Sequence, residues 1–358
     1  MKDNMVCIGI GACGGKMVKE FYNNSYQSFF INTSYQDLEA LNIPNSLIYH
    51  IPNAYGCAKN RQKAIEYAKN YYESMIGKLL DVYPTARTFL IHYSLGGGTG
   101  SGTANLFSAL LSSILYSKGV EDFKIINICA KPKSYESYQI QKNAKESLEE
   151  MYAMVDKGVI NQYFIINNDS RETLEEINEE HFLLFERWIE GEDSNNVSNV
   201  DESERADLFS YSGNAMIFEF ASKDFSEFKT NIQREYSNSI YCVASKEPTA
   251  LGLALNSNIK EEEALETIEE TVGYYSNTHI TPTESSNLVF VSGIVDKGRI
   301  INQLTKLINN KANKINTTVQ EVDEEESIEE VVVEKVGHKK KEGHKKQISI
   351  ENIMSFYK

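Results

Sequence analysis

The chain has 358 residues, 41% of them apolar, and a net charge of −15. That length suffices for two domains, and the acidic body should repel nucleic acid rather than bind it. There is no run of about 18 apolar residues, and the start "MKDNMVCIGIG" has none of the three parts of a secretion signal, so a cytoplasmic protein is expected.

The five cysteines, Cys7, Cys13, Cys57, Cys129 and Cys242, are scattered and form no C-x-x-C pair. A disulfide framework or a zinc site is therefore not expected, and these residues read as buried thiols. The six histidines show no metal-ligand spacing.

The first half alternates strand and helix signals, as an α/β chain does. The runs "VCIGIG", "SFFINT", "SLIYHI", "TFLIHYSL", "FKIINICA" and "QYFIIN" predict buried strands of a mostly parallel sheet. Between them, "NRQKAIEYAKNYYESMIGKLL", "TANLFSALLSSILYSKG" and "NAKESLEEMYAMVDKG" have apolar residues at helical spacing. Residues 171–191 predict one long helix. Beyond a polar segment, "NAMIFEFAS", "SIYCVAS" and "NLVFVSGI" are strand-like, with helices near 224–234, 260–275 and 296–315.

From about residue 319 periodicity is lost and a flexible tail is expected. Residues 321–334 carry eight acids and no base, whereas 338–346 carry five lysines and two histidines against one acid. The last residues, "ISIENIMSFYK", predict a short amphipathic helix formed when a partner is present. The expected division is a first domain at 1–170, a central helix region at 171–192, a smaller α+β domain at 193–318 and the charged tail at 319–358.

Two glycine-rich turns each join a strand to a helix. In "GIGACGG", Gly9, Gly11 and Gly14 satisfy G-x-G-x-x-G. In a dinucleotide-binding fold such a turn holds a pyrophosphate at a helix N-terminus. Read alone, it is equally a structural turn, and the second strand ends in Asn32 and Ser34 rather than in an acid. A P-loop is excluded, because Met17 follows Lys16 where Ser or Thr must stand.

The second turn, "GGGTGSG", is more specific. Gly96, Gly97, Gly98, Gly100 and Gly102 let the main chain wrap a phosphate, and the Thr99 and Ser101 hydroxyls can donate to its oxygens. Glycine is costly to order. Close contact between backbone N–H groups and a phosphate is the expected compensation.

"GGGTGSG" resembles the signature of the tubulin/FtsZ superfamily of GTP-driven polymers, and the rest of the chain can be compared with that family. "GIGACGGKMV" resembles its first phosphate loop, which carries Gly11, Ala12, Cys13, Gly14 and Lys16, with Lys16 in place of the usual bacterial Asn. "INTSYQDLEAL" is similar to its "NTDAQAL" loop and brings Asn32, with Ser34 in place of Asp. "GCAKNR" (56–61) is similar to the loop near the γ-phosphate. "AKPKSYES" matches Glu136 to a ribose-binding carboxylate. "IINND" matches Asn168 to the guanine-reading Asn, with Asn167 replacing a proline. Asn178 lies near the guanine-stacking position of the long helix.

"NVDESE" resembles the loop whose two acids, here Asp201 and Glu204, enter the next subunit's nucleotide site. The resemblance spans roughly residues 4–318 and implies the tubulin-like fold. It also implies GTP or GDP as ligand with Mg²⁺, hydrolysis aided by Asp201 and Glu204, and head-to-tail filaments. No metal ligand is assigned. The tail and the altered loops resemble the plasmid- and phage-borne TubZ branch, which segregates DNA through a DNA-binding adaptor of TubR type on centromere-like DNA. The tail would then recruit the adaptor. Two other readings stay open: a nicotinamide-dependent oxidoreductase built on the first glycine turn, and a scaffold that binds nucleotide without hydrolysing it.

Overall fold

A computed structural model describes residues 1–191, 202–296, 298–320 and 348–357. β1 (Met5–Ile10) leads into α1 (Gly11–Asn23), and β2 (Ser28–Asn32) into the short α2 (Tyr35–Glu39). β3 (Ile48–His50) precedes α3 (Arg61–Val82). β4 (Thr88–Ser94), α4 (Thr99–Ser117), β5 (Lys124–Lys131), α5 (Tyr138–Asp156) and β6 (Gln162–Asn167) continue the alternation. These six strands pair in parallel in the order β3-β2-β1-β4-β5-β6. They are apolar on both faces because helices cover both. Phe21 of α1, Phe164 of β6 and Phe185 pack on one face, while Ala68 of α3, Phe107 of α4 and Met151 of α5 pack on the other.

α6 (Leu174–Glu190) begins later than residue 171 because Thr173 and Glu176 form a capping box. That reciprocal pair satisfies two of the orphan N–H groups of the first turn. Ile177, His181, Phe185 and Trp188 are buried along one side of the helix, at the spacing of a helical stripe.

The chain continues through α7 (Glu202–Asp207), β7 (Gly213–Phe220), α8 (Phe225–Asn238), β8 (Ala250–Asn256), α9 (Glu261–Val272), β9 (Asn277–Thr283) and β10 (Asn287–Ile294). The later strands extend the first sheet to ten, in the order β6-β7-β10-β8-β9. The joint is narrow: β7 meets β6 only at Gln162–Gly213 and Tyr163–Asn214. Among the described residues "SIYCVAS" is not a strand, and Tyr241 makes one isolated bridge to Ile166. β8 and β9 were not predicted. β8 is a fully buried apolar run, "ALGLAL", interrupted only by Gly252, whereas β9 is half exposed and has no such run.

α10 (Arg299–Gln320) packs along α5 and continues past residue 319, where the sequence predicted the tail. Residues 321–347 lie outside the described residues. α11 (Ile350–Phe356) is indeed a helix, but it sits on the chain's own α4 rather than awaiting a partner. Among the described residues no helix is long and apolar enough to cross a membrane.

Candidate nucleotide site

The order β3-β2-β1-β4-β5-β6 reverses direction between β1 and β4. In open α/β sheets a crevice forms at the carboxyl ends of the strands at that point. Both glycine turns open onto it, since one follows β1 and the other follows β4.

The two turns touch. Gly11 has φ +76°, a left-handed conformation that favours glycine, and a Cβ there would lie 3.0 Å from the Gly100 nitrogen. A Cβ on Gly14 would lie 2.0 Å from the His92 carbonyl oxygen, so α1 rests directly on β4. Around the second turn, a Cβ on Gly98 would meet Cys57 and Lys59 at 3.0 Å, and one on Gly102 would meet the Arg61 carbonyl at 2.4 Å. The glycine content is therefore explained in part by packing of backbone on backbone. Gly96 likewise faces Ile140, whereas Gly97 is open. The first N–H groups of α1 and α4 have no carbonyl within their own helix to pair with, and the helix dipoles add partial positive charge at the same place.

Thr99 Oγ1 and Thr33 Oγ1 are 2.7 Å apart, which ties the loop after β2 to the second turn. The Ser101 hydroxyl does not face a ligand as the sequence suggested. It donates to the Gly97 carbonyl, and the residue is fully buried. Ser101 is left with its backbone N–H to offer. Asn32 shapes its own loop: its Oδ1 accepts from Thr33 N at 2.8 Å and Ser34 N at 3.2 Å, and its Nδ2 donates to Asp37 at 3.2 Å.

Ala12 and Lys16 are exposed at the start of α1 and Cys13 is half-buried. Burial pushes the Cys13 thiol up to about 11, with the Lys16 cation opposing and the Glu136 carboxylate assisting. Glu136 therefore faces the same end of the crevice as α1, and it accepts a bond from Lys133 N at 3.1 Å. Asn168 follows β6 with its N–H on the Lys131 carbonyl. Next to it, Asp169 pairs with Lys131 at 3.3 Å and accepts from Ser134 N, joining the loops after β5 and β6. Asn178 is half-buried in the second turn of α6.

Glu204 is elsewhere. α7 lies against the opposite, amino ends of the strands: Ala206 accepts from Lys124 at the start of β5, and Glu202 pairs with the amino group of Met1. A cleft there is lined by Asn4, Arg87, Asp122, Lys124, Glu202 and Ser203. A strand of six or seven residues separates it from the glycine turns by about 20 Å. Asp201 lies outside the described residues.

Three features of the site were not foreseen residue by residue, although Ala58, Lys59 and Arg61 fall in the "GCAKNR" loop matched by resemblance. Asn143 on α5 is buried and donates to the carbonyls of Lys59, Gly96 and Gly97 at 2.8, 3.2 and 3.4 Å, bracing two loops at once. Arg61 is buried at the start of α3, where it donates to Ser101 O at 3.1 Å and pairs with Glu150 at 2.6 Å. Ala58 and Lys59 have φ +46° and +64° beside Gly98, a strained pair of non-glycine residues at the edge of the crevice. Nothing in the sequence marks Asn143, and the contacts of the others exist only because distant segments converge.

Residues 4–171 match the model of the Tubulin/FtsZ family, GTPase domain. They are a tubulin/FtsZ-family GTPase domain. Over its whole length the chain is similar to the tubulin-like protein TubZ of Clostridium botulinum C phage, 26% identical over 99% of this chain and 96% of that protein. The crystal structure of the phage c-st TubZ covers 88% of this chain and 100% of its own, with 24% identity and a TM-score of 0.78. A GTPγS-form protofilament of Bacillus thuringiensis serovar israelensis TubZ covers 89% and 94%, with 16% identity and a TM-score of 0.71.

The tubulin fold accounts for the crossing of α6 between the two parts of the sheet. The GTPase assignment overturns the oxidoreductase alternative, although the strand order by itself is shared with dinucleotide-binding folds. It also answers the scaffold alternative: the chain is a GTPase.

Proposed function

We propose that this GTPase assembles head to tail into filaments and hydrolyses GTP at the interface between successive subunits. The observation that carries this reading is the separation of Glu204 from the glycine turns, at opposite ends of the same strands. A chain cannot fold Glu204 back across about 20 Å of strand onto its own nucleotide. A second copy stacked below the first can present that end to the first copy's crevice. Such a heterologous contact repeats without closing and makes a filament. The protofilament of the Bacillus thuringiensis relative supports the same arrangement.

In this reading the N–H groups at the starts of α1 and α4 hold the phosphates, and Thr99 adds a hydroxyl. Glu136 engages the ribose, Asn168 reads the guanine edge and Asn178 lies against the base. Asp201 and Glu204 of the neighbouring copy orient or deprotonate the attacking water. Lys16, Lys59, Lys131 and Lys133 supply local positive charge in an otherwise acidic chain. Among the described residues no three His, Cys, Asp or Glu side chains gather to hold a metal ion. Mg²⁺ fits such a site by taking phosphate, water and hydroxyl oxygens, and it would neutralise charge on the phosphates.

The cellular task we favour is segregation of plasmid or phage DNA, with a DNA-binding adaptor of TubR type engaged through the charged tail. The similarity to phage TubZ supports it. Light scattering with GTP, GDP and a slowly hydrolysed GTP analogue tests assembly. Glu204→Ala should leave GTP binding intact, lower hydrolysis roughly 10²–10⁴-fold and yield filaments that persist. Loss of GTP binding by the monomeric variant would contradict the shared site. Pull-down of adaptor-bound DNA by the full chain, weakening steeply with salt, tests the segregation reading.

A further inference from the structure

α11 is the last described element, and it is docked. Ile353 is 2% exposed and Tyr357 is 6% exposed. Both enter the apolar cluster that lies under α3, α4 and α5. Lys69 of α3 donates to the Tyr357 carbonyl at 2.6 Å, and the Lys157 ammonium sits 4.2 Å from the centre of the Phe356 ring. The Tyr357 side chain reaches the neighbourhood of Arg61 and Glu150, whose charges act on its hydroxyl. Arg61 in turn holds Ser101 of the second glycine turn.

Three properties make this docking releasable. A helix of seven residues has no stability of its own in water, so α11 exists only while its face is covered. That face is short, with Ile353 and Tyr357 as its two buried anchors and Ile348, Ile350 and Met354 half-buried beside them. The Tyr357 hydroxyl is buried without a hydrogen-bond partner in the structure, so its insertion is not optimised. Against this stands tethering, which raises the local concentration of a chain's own segment to the order of millimolar. A weak ligand is thereby kept in place. The 27 residues 321–347 have a contour of at most about 95 Å, ample for the helix to leave the groove and meet a partner.

We infer that α11 is a cis latch: in the free chain it fills the groove between α3, α4 and α5, and any partner that grips its Ile353–Tyr357 face must first displace it. Tail capture and groove occupancy are then mutually exclusive. The proposed adaptor is one candidate for the displacing partner, and only that clause rests on the filament and segregation reading. The latch is tested without it.

A fluorescent peptide of residues 348–358 is titrated into the full-length chain and into the full-length Ile353→Asp variant, and anisotropy is read. The variant cannot bury a carboxylate in the groove, so its groove stands open. The peptide should bind the variant at least 10-fold more tightly than the parent, and a peptide bearing the same Ile353→Asp change should bind neither. Tyr357→Ala serves as a second opened chain, with circular dichroism confirming that both variants are folded. Equal affinity for parent and variants, or no binding to either opened chain at millimolar peptide, would overturn the latch. Peptide affinity for the parent that rises as the parent is diluted would show exchange of helices between copies, which also overturns it.

Discussion

His92 and His181 meet in the core between β4 and α6, Nε2 to Nε2 at 3.1 Å. His92 Nδ1 faces the Leu90 carbonyl at 3.1 Å, which can only accept, so His92 carries its proton there and its Nε2 accepts. His181 then donates through Nε2 and accepts the Tyr241 hydroxyl at Nδ1, at 2.8 Å. Every polar atom is satisfied with both rings neutral. Burial lowers His92 from the ordinary 6.5 to about 3, and burial together with the His92 ring lowers His181 well below 6.5. The unfolded chain binds these protons near pH 6.5 while the folded chain refuses them. Their stabilisation is therefore full above about pH 6.5 and is lost as pH falls below it, by about 1.4 kcal/mol per pH unit for each histidine, for His92 down to about pH 3. His181→Gln keeps a donor for His92 and an acceptor for Tyr241. Its urea midpoint should fall less steeply than the parent's between pH 6 and 5, with the difference in slope near that of one histidine. Asn168 offers both a donor and an acceptor to a purine edge. Asn168→Ala should weaken GTP binding and narrow the preference for GTP over ATP, measured by competition. Equal affinity of the unmodified protein for ATP and GTP would sink its assignment as the guanine reader.

At the scale of elements, the glycine turns are a joint between α1, α4 and β4. Gly14 is where α1 lies on the His92 backbone. Gly14→Ala would force a carbon onto a carbonyl oxygen and push α1 off β4, with a loss of stability above about 4 kcal/mol. Thermal unfolding of the purified variant should show it, and GTP should no longer raise the midpoint. Asn143 is the opposite case, a single amide bonded to three carbonyls on two loops. Asn143→Ala leaves those carbonyls short of a donor at a cost of about 1–3 kcal/mol. It should loosen the phosphate turn and weaken GTP binding, whereas Asn143→Asp should not restore it, because an ionised carboxylate cannot donate. Isothermal titration with GTP separates the three chains.

At the scale of the whole molecule, an active site divided between copies has a signature that no single-chain enzyme shows. If the proposed divided site holds, GTP turnover per subunit rises with protein concentration and approaches zero on dilution, because each crevice then needs a neighbour's Glu204. A rate per subunit that does not change over a hundredfold dilution would rule out the divided site. The joint between β6 and β7 is only two residue pairs wide, and α6 with its buried face shares the tie between the GTPase domain and the later strands with the Ile166–Tyr241 bridge and with α10 packed on α5. The His92–His181 contact lies on that tie and links α6 to the strand that carries the second glycine turn.

The sequence by itself determined the parts that local pattern encodes. Apolar runs made the six parallel strands, because a strand buried on both faces has no polar side to interrupt it. The two glycine turns were legible because a main chain approached closely on several sides leaves no room for Cβ, and only glycine fits. Thr173 and Glu176 show why α6 starts where it does, three residues after the predicted start. What only tertiary structure decided are the meetings of segments far apart in sequence. Asn143 braces loops some 46 and 84 residues away. β8 forms on the edge that β10 offers, and the half-exposed β9 forms in turn on β8. The terminal helix docked on its own domain because Ile353 and Tyr357 found a groove there. Local propensity is written residue by residue, but a hydrogen bond across 46 residues or a buried anchor exists only once the sheet has brought both ends together.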